Sequence, residues 1–442
     1  MQTVDQIIHA KWIITGENKM LEQHALIVQE GKIQAIVPSD TAAQQYTGKI
    51  TKKYSTHAII PGLINAHTHI AMNYFRGFAD DLALMNWLNN YIWPAEKQWV
   101  NDEFVYDASL FAMAEMIRSG TTCFNDMYFF LPATARAAEI SGIRAHIGIT
   151  VLEFPTQWAQ NSAEYLARGL EFLTEYKNHP RITATMAPGH PFTVSDNSFL
   201  KIKELADTHN LKINLHLHET ADEVNQSVEQ YKKRPIKRLH DLGLISERLI
   251  AIHMTQLNEE DLGILAASRP SIVHCPESNM KLSSGVCPVE KLKSLGINVA
   301  LGTDGAASNN DLNMLGEMRS AAFLAKLSTL NPEALNAEEA LRMATMNGAK
   351  ALGAERIIGS IAVGKAADFA AINLDEVETA PLYHPLSQIV YAASRHQVTD
   401  VWVAGKQLLK NRQLTTLDEQ ELRAKAQAWA RKISGAKAPC FS

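Results

Sequence analysis

Eight short strand-like runs, alternating with helix-like stretches, fill the middle of this chain and restrict it to very few folds. The first is led in by Ala58-Ile59-Ile60 and reaches His67-Thr68-His69; the others are residues 121–126, 144–150, 182–188, 211–218, 249–253, 271–276 and 299–304. The segments between them, such as 111–117 and 199–206, carry helix formers at helical spacing. Strand-helix alternation predicts a parallel sheet, and eight units predict closure into a TIM-like (β/α)8 barrel. Short β-like runs punctuated by turns also lie before it (7–10, 12–14, 25–28, 33–37) and after it (367–372, 398–403). Neither set is large enough to stand alone. The expectation is a small β-sandwich-like domain composed from both chain ends, 1–57 and 361–442 with a C-terminal helical tail, beside a catalytic barrel over 58–360.

Polar residues fall where the strands end: His67 and His69, Asp126, His216 and Glu219, His253, His274, Asp304. In such barrels the C-terminal strand ends form the active face. His67 and His69, two apart on a strand, point to one side and can aim two imidazoles at one metal ion. His67, His69, His216 and Asp304 therefore stand out as ligands, a donor set suited to Zn(II), with iron or another divalent ion also accommodated. Period two places His218 on the same face as His216, so spacing leaves both open as the third imidazole. Glu219 leaves the strand where it could carry protons, although a carboxylate opening a helix would look the same. His253 ends an apolar strand and reads either as a site residue or as a satisfied core histidine. No lysine closes the fourth strand, which ends Met186-Ala-Pro-Gly-His190, so a bridging carboxylated lysine has no source and one metal is expected.

The net charge of -5 argues against a nucleic-acid binder, and the basic cluster Lys232-Lys233-Arg234 reads as a solvated face. Four cysteines (Cys123, Cys275, Cys287, Cys440) without paired spacing suggest a reducing compartment. No apolar stretch is long enough for a membrane span and no signal peptide is evident, so a cytoplasmic location is expected. A homo-oligomer would be ordinary, but no motif specifies one.

The strings PGLINAHTH, HLHET, AIHMTQL, VHCPESNMKLSSG and LGTDGAASNND resemble the amidohydrolase superfamily, and with FRGFADDLALMNWL and IWPAE its methylthioadenosine/S-adenosylhomocysteine deaminase branch. The resemblance runs from about Ile7 to about Gly405. It implies a nucleoside substrate and ligands His67, His69, His216 and Asp304, with His216 rather than His218 as the third histidine. It also implies that Glu219 protonates purine N1, that His253 orients the attacking hydroxide, and that Asp304 acts as ligand and base. Glu96 would hold the ribose, whose vicinal diol offers two donors to a carboxylate's two acceptors, and Trp87 would lie beside the base. Core packing would explain Trp87 equally well, and a place in a helix's first turn would explain Glu96. One departure stands out. Where the family carries a purine-contacting histidine, this chain has Gly189, and His190 follows one position later. A shift of one residue normally reverses side-chain direction, so His190 reaches the base only if Gly189 bends the backbone.

S-adenosylhomocysteine would need a cation for its carboxylate, and Arg76, Arg136, Arg144 and Arg168 are candidates. Competing readings are a deaminase or chlorohydrolase acting on another purine, pyrimidine or triazine ring, a non-catalytic barrel used for binding, and a hydrolase built on His274-Cys275.

Overall fold

The computed structural model describes residues 1–17 and 19–435; Cys440 lies outside them. Two eight-stranded sheets organise the chain. In the parallel sheet the strands follow chain order: Leu63–Thr68, Thr121–Met127, Arg144–Val151, Ile182–Pro188, Ile213–Leu217, Leu249–His253, Ser271–His274 and Asn298–Leu301. Helices run between them, including Asp102–Arg118 and Asp196–His209, and bury one apolar side against the sheet. Strands covered on both sides are buried along their length, with apolar residues interrupted by buried polar ones such as Asn65, Asn125 and Asn214. The first and last strands meet where the Asp304 amide donates to the His67 carbonyl at 3.0 Å and Asn65 Nδ2 donates to Thr303 Oγ1 at 2.7 Å. A side chain at Gly302 would stand 2.8 Å from the His67 nitrogen, so the barrel closes on a residue that has none.

The second sheet interleaves the two chain ends. Its strands Gln2–Ile14, Met20–Gln29, Lys32–Pro38 and Tyr46–Pro61 join Phe369–Asn373, Val398–Val403, Lys406–Lys410 and Gln413–Leu414. The seam is the antiparallel pairing of Phe369–Asn373 with the end of Tyr46–Pro61. One expectation is corrected here. Ala58-Ile59-Ile60 does not lead the first barrel strand; it completes this second sheet, with Ala58 also paired to Trp12. The chain then crosses at Gly62, where a Cβ would lie 2.0 Å from Thr122 Oγ1, and the barrel begins at Leu63. Arg144, at the start of the third barrel strand, bridges the two sheets through Asp368 (2.5 and 3.1 Å).

Among the described residues, no helix is long and apolar enough to cross a membrane. The basic cluster is only partly a solvated face: Arg234 binds the buried Asp261 carboxylate at 2.6 Å.

Candidate active site

The C-terminal strand ends converge on one cavity of about 350 Å³, lined by His69, His216, Glu219, His253 and Asp304 at one place and by Glu96 and Trp87 at others. Three of the strand exits are left-handed at residues other than glycine: His218 (φ 54°), His253 (73°) and Asp304 (62°). Such conformations are costly and concentrate where side chains must be re-aimed.

Asp304 Oδ1 lies 3.3 Å from His67 Nε2 and 3.2 Å from His69 Nε2, and His69 Nε2 lies 3.1 Å from His216 Nε2. Ligands about 2.0–2.1 Å from a tetrahedral ion stand roughly 3.3 Å apart, so these gaps match a metal's coordination edges. The hydrogen bonds behind the rings make the same point. His69 Nδ1 donates to the Met127 carbonyl (2.6 Å) and His216 Nδ1 to the Gly189 carbonyl (3.0 Å). In neutral rings the two Nε2 atoms then present lone pairs to each other, a repulsion that a cation between them, or a proton on His69, relieves. His67 is fully buried and neither ring nitrogen makes a hydrogen bond.

Electrostatics agree with a cation site. Burial pushes His67 down to about 4 and His216 well below its ordinary value, which leaves neutral imidazoles at pH 7. Burial opposes charge on His69 too, yet its hydrogen bond to Asp304 lifts it to about 9. Burial alone would raise Asp304, but His67 and His69 hold it well below the usual carboxylate range. The residues fit a divalent metal ion. Ligand atoms of His67, His216, His253 and Asp304 also fall within 4.8 Å of one another. His253 stands further off, its ring 6.1 Å from His67 against 4.8 Å for His69. His69 therefore stays among the candidate ligands, with His253 beside them.

His218 leaves the site altogether. Its left-handed backbone breaks the period-two expectation, and the ring is held outside the cavity by the Gln256 carbonyl (2.9 Å) and the Ile236 amide (3.2 Å). Glu219 is freed for the cavity by Glu223. Glu223 accepts from the amides of His218 (3.1 Å) and Glu219 (2.7 Å), while Thr220 caps the helix. Glu219 Oε2 lies 3.8 Å from His253 Nε2 and 4.0 Å from His190 Nε2, and burial raises its pKa. His253 Nδ1 donates to Asn279 Oδ1 at 2.8 Å, which turns the Nε2 lone pair toward Glu219. His190 lines the cavity, its ring stacked 4.3 Å from His216, and burial lowers it to about 3. Glu96 accepts from the Tyr128 hydroxyl at 2.7 Å, and burial raises it to about 7. Asp126 ties down the turn after His67 by accepting from the Ile70 amide (2.8 Å) and Thr68 Oγ1 (3.1 Å).

Several supporting residues escaped the sequence reading. Ser278 and Ser308 donate to Asp304 Oδ2 at 2.7 and 2.9 Å, leaving Oδ1 for the histidines. Asn279 and Tyr128 orient His253 and Glu96. The serines and Asn279 stood inside recognised strings just past strand ends, which was the available signal. Nothing in the structure favours the His274-Cys275 alternative: both side chains are buried, neither lines the cavity, and burial raises the Cys275 thiol's pKa. None of the four candidate arginines lines the cavity.

Residues 58–408 match the model of the amidohydrolase family. The chain belongs to the amidohydrolase family. Curated relatives span this amidohydrolase almost completely. The 5-methylthioadenosine/S-adenosylhomocysteine deaminase of Teredinibacter turnerae is 44% identical, over 98% of this chain and 99% of the relative. That of Saccharophagus degradans is also 44% identical, over 98% of each. The amidohydrolase superposes on a crystal structure of an adenosine deaminase from Xanthomonas campestris with bound zinc, with TM-score 0.97, 46% identity and coverage of 98% and 99%. An atrazine chlorohydrolase from Arthrobacter aurescens shares the fold at 23% identity (TM-score 0.90, covering 96% of this chain and all of that one).

Proposed function

We propose that this amidohydrolase is a cytoplasmic hydrolytic deaminase of thioether adenine nucleosides. It converts 5'-methylthioadenosine to 5'-methylthioinosine and S-adenosylhomocysteine to S-inosylhomocysteine, releasing ammonia. The observation that carries this reading is one cavity holding a four-ligand cluster, a proton-bearing glutamate and a second carboxylate suited to a diol. The names of the full-length relatives support the substrate choice.

His67, His69, His216 and Asp304 would hold the metal, one zinc ion per subunit. When bound, the ion lowers the pKa of a water molecule to about 7 and so supplies a nucleophile at neutral pH. Glu219, whose protonated form burial favours, gives its proton to purine N1 and withdraws electron density from C6. His253, with its free Nε2 lone pair, accepts a hydrogen bond from the attacking oxygen, without taking its proton, and fixes its approach. Asp304 takes the remaining proton and passes it to the amine, so that a C–O bond forms, the C6–N bond breaks and ammonia leaves. Trp87 packs beside the base, and His190 replaces the missing histidine at Gly189 as a contact to the ring. Purified zinc-loaded protein should release ammonia from 5'-methylthioadenosine much faster than from adenine or guanine. Faster release from the free bases would discard the nucleoside reading.

Glu96 makes that reading pH-dependent. Only the ionised carboxylate accepts from both ribose hydroxyls, and Glu96 loses its charge as pH falls through about 7. KM for the nucleoside should therefore rise as pH drops below about 7, approaching tenfold per unit, and level off above it. Glu96→Gln should raise KM by roughly tenfold to a hundredfold at pH 8 and flatten that profile, with metal content unchanged.

A further inference from the structure

We infer that the tail subsite of this cavity accepts a neutral apolar thioether and discriminates against a zwitterionic one; this rests on the nucleoside reading above. Trp93 lies one helical turn before Glu96 on the same helix, Trp93–Trp99, so it stands beside the group assigned to the ribose. The segment after the third barrel strand brings Phe154 to within 6.2 Å of the Trp93 ring. Trp158, from the same segment, packs 5.2 Å from Phe130, and Leu152 completes the wall. A methylthio group finds aromatic edges and aliphatic carbon there, favourable surroundings for a polarisable sulfur.

A homocysteine tail adds a carboxylate and an ammonium; the wall's neutral polar groups, Thr156 and Gln157, already meet the Tyr165 hydroxyl (2.6 Å) and the Lys97 carbonyl (3.2 Å), and neither carries charge. All four arginines that could have served are committed elsewhere. Arg76 pairs with Glu115, Arg136 with Asp102 (2.6 Å), and Arg144 with Asp368 at the junction of the two sheets. Arg168 comes nearest, with its guanidinium 4.8 Å from the Trp158 ring centroid, but it is bound to Glu164 at 2.8 Å and does not line the cavity. Among the described residues, Lys97 is the sole lysine or arginine that lines the cavity, and it is exposed, so water and salt screen its charge. A zwitterion on this wall loses hydration without gaining a bidentate partner.

The test compares kcat/KM of the zinc-loaded protein for 5'-methylthioadenosine, 5'-butylthioadenosine and S-adenosylhomocysteine. The last two have tails of similar length and differ chiefly in charge. We expect the butylthio compound to stay within a few-fold of the methylthio compound. S-adenosylhomocysteine should fall below both by roughly tenfold to a hundredfold, the range set by an unpaired buried polar group. Equal values for the butylthio compound and S-adenosylhomocysteine, whether both high or both low, overturn the inference, because charge would not be the discriminant. Turnover of none of the three sinks the deaminase reading itself and takes this inference with it.

Discussion

Glu219→Gln lowers kcat by roughly a thousandfold while leaving the fold and the bound metal intact, a loss in the range expected for a general acid. The amide keeps the size of the carboxyl and can still meet Ser284 Oγ, which lies 3.4 Å from Oε1. It has no proton to deliver to the ring nitrogen. The helix start is unaffected, because Glu223 and Thr220 satisfy the local amides. Elemental analysis and steady-state kinetics on the same preparation separate the outcomes. A variant with full metal and near-normal kcat would remove Glu219 from the mechanism; a variant without metal would make it a structural support of the ligands.

Asp304→Asn strikes harder, because one side chain serves three ends. Oδ1 faces the His67 and His69 nitrogens, while Oδ2 is held by Ser278 and Ser308. The substitution removes the proposed anionic ligand and the proposed proton acceptor together. We expect bound zinc to fall well below one per subunit at micromolar metal and kcat/KM to drop by about a thousandfold or more. The protein should also lose the rise in melting temperature that added zinc gives the parent, since that rise measures binding to the folded state alone. Undiminished metal content would assign the anionic ligand to another residue.

The barrel strands were readable from short β-like runs alternating with helix formers, and the proposed ligands stood out because they sit where those runs stop. What escaped depended on backbone torsions or distant partners. Nothing in HLHET announces that His218 turns left-handed, yet that single φ sends its ring out of the site. The polar stretch of strand Tyr46–Pro61 hid its β character, since much of its first half is exposed and gives no apolar alternation. Ala58-Ile59-Ile60 was correctly a buried strand but was given to the wrong sheet, because Gly62 marks the crossing only once Thr122 is seen beneath it. The arginines looked equivalent until their carboxylates, remote in sequence, were in view.

The interleaving of the two chain ends has a consequence for how the molecule comes into being on the ribosome. Tyr46–Pro61 leads through Gly62 directly into the strand that carries His67, but its seam partner, Phe369–Asn373, is made only after the whole barrel. Until then an early strand edge waits unpaired, of the kind that draws chaperones or aggregates. A nascent chain halted before Phe369 should therefore bind zinc poorly despite containing all four proposed ligands. Completion of the last strands, rather than emergence of the last ligand, sets the moment at which the metal can be held.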